Sequence, residues 1–166
     1  MLGTTGNVTT LDGDNNENLN YTSAIKAAVD WFGPIDFSTM DDQFKASGIT
    51  SMLGSHSAAN SPEGQFIGQA LTATPALVQK ANPESYISTM KVATAPSFLI
   101  QHGSNDNLVP YQQSTTFAEK LKAAIGGIKV TVEVIKGAGH GTQEFSSAPN
   151  ITKVFNFLDP IMKKAN

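Results

Sequence analysis

Three stretches of this chain stay apolar for about the length of a strand and then stop at a turn signal. Ile25 to Phe32 is mostly apolar and ends at Gly33-Pro34; Ser97-Phe98-Leu99-Ile100-Gln101-His102 ends at Gly103; Ile128 to Ile135 ends just ahead of Gly137. Apolar runs of this length suit strands covered by helices on both faces. Tyr111 to Ile125 carries Phe117, Ala118, Leu121, Ala124 and Ile125 at helical spacing, and Gly126-Gly127 ends that helix. Ile151, Val154, Phe155, Leu158 and Ile161 form the stripe of a last helix, which Pro160 is expected to kink or end. Asp36 to Met90 mixes short helical stretches, Met40 to Lys45 and Pro75 to Lys80, with Gly, Ser, Asn and Pro breaks. Strands separated by helices predict an α/β fold of about three parallel strands joined by right-handed crossovers. Ligands of such sheets bind beyond the C-terminal ends of the strands.

Composition narrows the picture. A chain of 166 residues with 40% hydrophobic content can bury roughly two thirds of its unfolded surface, so one domain is expected over 1–166. Within it, 1–23 is a polar lead-in that reads as a surface loop, and 37–91 is a crossover segment. Asp12, Asp14 and Asn16 alternate like the start of a calcium loop, but Glu17 stands where the glycine turn is needed and Ser23 where the bidentate glutamate is needed. Calcium is therefore not expected. No run of about 18 apolar residues offers a membrane span, and Met1 to Gly6 lacks the basic start and apolar core of a signal peptide. The formal charge is −3 and every basic residue is lysine, which argues against a nucleic-acid partner. Lys163 and Lys164 read as a solvated helix end. The lack of cysteine removes disulfides and thiolate metal sites and leaves the compartment open.

Two loops carry candidate chemistry. His102-Gly103-Ser104-Asn105-Asp106-Asn107-Leu108-Val109-Pro110 follows the second strand, and Gly137-Ala138-Gly139-His140-Gly141 follows the third. Asp106 and His140 are 34 residues apart, yet adjacent parallel strands would bring their loops together as an acid and a base. His56, among serines and glycine, reads as a surface residue, and three scattered histidines imply no metal site.

These two loops, together with Ala28-Val29-Asp30-Trp31-Phe32-Gly33-Pro34-Ile35-Asp36-Phe37, resemble the α/β-hydrolase superfamily. The branch is that of acetyl-xylan, feruloyl and general carboxylesterases, related to lipases and to the prolyl oligopeptidase hydrolase domain. The resemblance runs from about Ala24 to the C-terminus and implies the second half of such a domain, with a lid-like part in 37–91. It implies a serine, acid and histidine triad in which His140 takes the proton from a serine hydroxyl and returns it to the leaving alcohol, while Asp106 fixes the imidazole. Gly137, Gly139 and Gly141 would let the base loop turn tightly. His102 would belong to the frame of the acid loop, and Asp36 is a minor rival for the acid. The substrate would be a small-molecule carboxylic ester, with no cofactor.

The family nucleophile sits in Gly-x-Ser-x-Gly, and no such motif occurs in these 166 residues; Gly54-Ser55-His56-Ser57-Ala58 falls short of it. Met1 to Gly6 resembles the end of the helix that follows the nucleophile turn, which puts the serine just upstream. The expectation is an acid and base half of a serine esterase, inactive alone. Its Ile25–Phe32 strand would present an unpaired edge for self-association or for the missing half. Peptidase or thioesterase chemistry of the same superfamily remains open. So does a noncatalytic α/β module used for binding or assembly.

Overall fold

The computed structural model describes residues 1–6, 8–11 and 21–163. The lead-in residues 12–20, including the calcium-like pattern, and Lys164 lie outside the described residues. A short helix α1 (Leu2–Thr5) precedes strand β1 (Ala27–Trp31). The crossover holds α2 (Met40–Ser47), α3 (Pro62–Ile67) and α4 (Pro75–Ala81) and leads to β2 (Ser97–Gly103). Helix α5 (Gln112–Ile125), strand β3 (Val130–Ile135), the single turn α6 (Gln143–Ser146) and α7 (Ala148–Met162) complete the order. The three strands form one parallel sheet, β1-β2-β3, with Ala27 opposite Ser97 and Phe98 opposite Val130. This is a parallel α/β sheet flanked by helices, as the apolar runs predict.

The central strand explains why the sheet is stable. Phe98 and Ile100 of β2 are buried with Phe117, Ala118, Leu121 and Ile125 of α5, and with Ile35, Ile87 and Val130. Phe98 and Phe117 meet edge to face, with ring centroids 6.1 Å apart. Gln101 of β2 is fully buried, but its amide is satisfied: it accepts from Trp31 Nε1 and Asn150 Nδ2, and donates to Glu133 Oε2 and Asn150 Oδ1. A polar group inside a sheet is tolerated when every partner is present.

Gln113, at the start of α5, ties the crossover to the sheet. Its Oε1 accepts from the N–H groups of Ile35 and Asp36, and its Nε2 donates to the Asp36 carbonyl, Thr39 Oγ1 and Gln43 Oε1.

Four expectations change. The first strand covers Ala27–Trp31 rather than Ile25 to Phe32, because Phe32 leaves the extended conformation at φ +48°. The third strand starts at Val130 rather than Ile128, because Gly126 turns the chain with φ +90° and residues 127–129 form one 3₁₀ turn. Lys129 is held there by the carbonyls of Val92 and Ala95, and Ile128 is left 99% exposed. Pro160 does not end α7, which runs on to Met162, although a proline has no N–H to donate to the carbonyl four residues earlier. His56 is not on the surface but 0% exposed. Asp41 draws its loop inward by accepting from the N–H groups of His56 and Ser57 and the hydroxyls of Ser55 and Ser57. The imidazole then stacks on Phe44, with Nε2 3.0 Å from Ser51 Oγ and Nδ1 3.0 Å from Glu63 Oε2.

Asp30, on β1, is a charge placed in apolar surroundings. Burial pushes its carboxyl above the ordinary aspartate range, against a lowering by His102, by the Gly33 N–H and by the Met1 ammonium, and its Oδ2 has no hydrogen-bond partner among the described residues. A carboxyl whose folded pKa is raised contributes stability that is full below the unfolded value, about 3.9, and is lost as pH rises through the folded value. Asp30→Asn is therefore expected to raise Tm at pH 7, by about 2–4 °C for each kcal/mol recovered, and to leave it nearly unchanged at pH 3. Thermal unfolding at the two pH values checks this; an equal fall at both would contradict it.

Candidate active site

The ladder between β2 and β3 continues into the loops beyond it. Ser104 N–H donates to the Ile135 carbonyl at 3.0 Å, Asn105 N–H to the Ala138 carbonyl at 2.9 Å, and Gly137 N–H to Ser104 Oγ at 2.8 Å. Gly103 permits this approach, since a Cβ there would overlap the Ala138 carbonyl oxygen. Gly137 and Gly141 sit at φ +81° and +64°, a region costly for other residues. The two loops thus close over the C-terminal ends of adjacent strands.

Asp106 and His140 meet there. His140 Nδ1 lies 2.9 Å from Asp106 Oδ2, with the aspartate 1% exposed and the histidine side chain 28% exposed. Asp106 Oδ1 accepts from the N–H groups of Leu108 and Val109, each at 2.9 Å. Burial alone would push this carboxyl up. Hydrogen bonds from His102, from the Val109 and Leu108 N–H groups and from His140 together hold it below the ordinary aspartate range. It is ionised at neutral pH, and the stability it contributes is present above about pH 3.9 and lost as pH falls through its lower folded value. A carboxylate can only accept, so Nδ1 of His140 carries a proton, and in the neutral ring Nε2 is left with its lone pair. The arrangement can take a proton at Nε2 and stabilise the resulting cation.

His102 is fully buried beneath this pair. Its Nε2 faces the Val109 carbonyl at 3.0 Å and Asp106 Oδ2 at 3.2 Å, and its Nδ1 lies 2.7 Å from Ser114 Oγ. A carbonyl and a carboxylate both demand a donor, so Nε2 carries a proton. His102 is packed and hydrogen-bonded within the loop that carries Asp106. Asp36 is occupied elsewhere, capping the turn after β1 by accepting from the N–H and hydroxyl of Ser38.

One neighbour of His140 has no counterpart among the sequence expectations. Phe32 follows β1, and its ring centroid lies 4.4 Å from that of His140 and 4.7 Å from that of Phe145. Its position before Gly33-Pro34 marks a turn, but neither hydropathy nor spacing shows that the turn points its ring at His140.

The BD-FAE family model matches residues 1–121, which takes in β1, β2 and the Asp106 loop and ends before His140. Over 98 residues the chain is 31% identical to a probable carboxylic ester hydrolase, LipM, of Mycobacterium tuberculosis, an overlap of 59% of this chain and 20% of that protein. A bifunctional GH43-CE protein of Bacteroides eggerthii superposes with a TM-score of 0.75 at 27% identity, over 96% of this chain and 20% of that one. A truncated carbohydrate esterase from gut microbiota superposes at 0.71 and 27% identity, over 90% and 47%. The chain thus spans about a fifth of the curated relative and under half of either solved structure.

Proposed function

The chain belongs to the BD-FAE family of esterase-like α/β-hydrolases, and from that premise we propose that Asp106 and His140 are the acid and base of a serine carboxylic-ester hydrolase. The observation that carries the reading is the 2.9 Å contact between His140 Nδ1 and a buried, ionised Asp106 at the C-terminal ends of neighbouring parallel strands.

In this mechanism a serine hydroxyl attacks the ester carbonyl while His140 Nε2 takes its proton, and the imidazolium then delivers that proton to the departing alcohol. Water attacks the acyl-serine with His140 again as base, and the serine leaves with the proton returned. Asp106 keeps the imidazole in the tautomer that can accept at Nε2 and offsets its positive charge.

Since the 166 residues contain no Gly-x-Ser-x-Gly, the serine and its oxyanion donors are assigned to another segment of the assembled protein, and this chain alone is assigned no turnover. Helix α1 supports that assignment: it lies against the sheet at Gly3, where a Cβ would stand 2.8 Å from the Phe98 ring, as the tail of a helix following a nucleophile turn would. The free side of β1 supports docking of that segment or of a second copy, because β1 pairs with β2 alone among the described residues and is half-buried along its length. Light scattering of the chain at high concentration is expected to show self-association; a monodisperse monomer would count against it.

A neighbour described as a carbohydrate esterase and a relative described as a probable carboxylic ester hydrolase support an ester substrate for the whole protein. A serine-directed fluorophosphonate probe tests the assignment. The expected result is no labelling of this chain and labelling of the protein that also carries the nucleophile segment. A label on this chain itself would place the nucleophile within it and refute the assignment.

A further inference from the structure

We propose that Phe32 is a positioning residue for His140, fixing the plane of the imidazole where Asp106 fixes one of its nitrogens. The inference rests on the reading of His140 as the base.

Two independent observations carry it. The first is conformational: Phe32 has φ +48° and is, among the described residues, the sole non-glycine with a positive φ. A bulky residue in the left-handed region is an outlier that persists when its surroundings over-determine it. Here they do. The Phe32 N–H donates to the Gln101 carbonyl at 2.8 Å, one step beyond the Trp31 to Gln101 pairing of β1 with β2, while Gly33-Pro34 redirects the chain immediately afterwards. Glycine occupies every other positive-φ position described, including Gly137 and Gly141 of the base loop. At residue 32 the side chain is kept in spite of the backbone.

The second observation is where that side chain goes. The ring sits against the imidazole at 4.4 Å with a tilt of 54°, and its other neighbour is Phe145, edge-on at 4.7 Å and 86°. Phe145 is buried and also packs on Trp31. A Cβ added at Gly141 would stand 3.7 Å from Phe32 Cζ, so the base loop closes directly over the ring.

Geometry says what this contact can do. A single hydrogen bond from Nδ1 to Asp106 restrains that nitrogen but leaves coupled χ1 and χ2 changes by which the ring can tip. Such tipping would displace Nε2, which lies on the far side of the ring. An aromatic surface braced by Phe145 blocks that tipping and holds Nε2 in one direction. A proton acceptor must be placed to a fraction of an ångström, and neither restraint alone does so.

The test uses the chain as it stands, labelled with ¹⁵N-histidine, and reads the tautomer of each of its three histidines together with the slowly exchanging Nδ1 proton of His140 by NMR. In the wild-type chain and in Phe32→Tyr, which keeps the ring, His140 is expected in one tautomer with its Nδ1 proton visible. In Phe32→Leu and in Phe32→Gly, which is compatible with the positive φ, the Nδ1 proton signal is expected to be lost and the tautomers to mix, while His56 and His102 keep their signals.

The proposal is overturned if His140 is unchanged in both Phe32→Leu and Phe32→Gly. It is also overturned if all three histidines change together, which would mark a general structural role, or if Phe32→Tyr behaves like Phe32→Leu. These signals do not depend on ester turnover. An inactive assembled enzyme with an undisturbed His140 spectrum would defeat the reading of the base and not that of Phe32.

Discussion

In the protein completed with its nucleophile segment, His140→Ala is expected to lower kcat for ester hydrolysis by about 10⁴-fold or more while KM stays nearly constant, and Asp106→Asn to cost about 10³–10⁴-fold. The alanine removes the proton acceptor, so the attacking hydroxyl must lose its proton to water. The asparagine acts more indirectly. Asp106 Oδ1 accepts two backbone N–H bonds, from Leu108 and Val109, and these hold the amide oxygen of an asparagine in the same place. Its NH₂ then faces His140 Nδ1, which must accept instead of donate. The proton moves to Nε2, and the base is in the wrong tautomer. The same NH₂ also meets the Nε2 proton of His102, so a modest loss of stability accompanies the loss of rate. Because the two groups act as a unit, the double variant is expected to be little slower than His140→Ala alone. Steady-state hydrolysis of a chromogenic ester measures all three; additive losses would indicate that the two side chains act separately.

Gly103→Ala is expected to destabilise the chain by about 1–3 kcal/mol, lowering Tm by about 2–4 °C per kcal/mol, and to cut turnover of the completed enzyme as well. The atoms in the way of a Cβ are backbone: the Ala138 carbonyl, and the Gly139 oxygen at 2.8 Å. Neither can retreat without breaking the Ser104 to Ile135 and Asn105 to Ala138 hydrogen bonds that hold the acid loop to the base loop. The loops must part, and with them Asp106 and His140. Gly127→Ala is the control, since nothing lies within 4 Å of a Cβ there, and its Tm is expected to stay within about 1–2 °C of the parent, as for an ordinary surface change. Equal effects at the two glycines would refute the close-approach argument.

The contrast between these residues shows what could be read before any coordinates. That Asp106 and His140 meet is legible in the sequence because parallel βαβ topology fixes which loops are neighbours, and both lie directly after apolar runs; their proposed roles come from the family resemblance. The strands were legible for the same reason, although the start of β3 was not: Ile128 is apolar, and hydropathy does not register that Gly126 and the carbonyls bound by Lys129 hold it out of the ladder. Local composition misplaced His56. Serines and glycine suggest a surface loop, but the inward pull comes from Asp41, on a helix 15 residues earlier. Phe32 was invisible for a different reason. Its importance lies in a backbone angle and a ring contact made across the sheet, and neither leaves a trace in the order of residues.

The central claim is that this chain holds the acid and base of an esterase whose nucleophile comes from another segment. The most direct measurement mixes the purified chain with a segment bearing a Gly-x-Ser-x-Gly turn from the same family and follows hydrolysis of a short-chain ester. The account predicts no turnover by either component, turnover by the mixture that saturates at equimolar ratio, and its loss when the chain carries His140→Ala. Turnover by the chain alone at the rate of the mixture, or an associated mixture in which His140→Ala makes no difference, would contradict it.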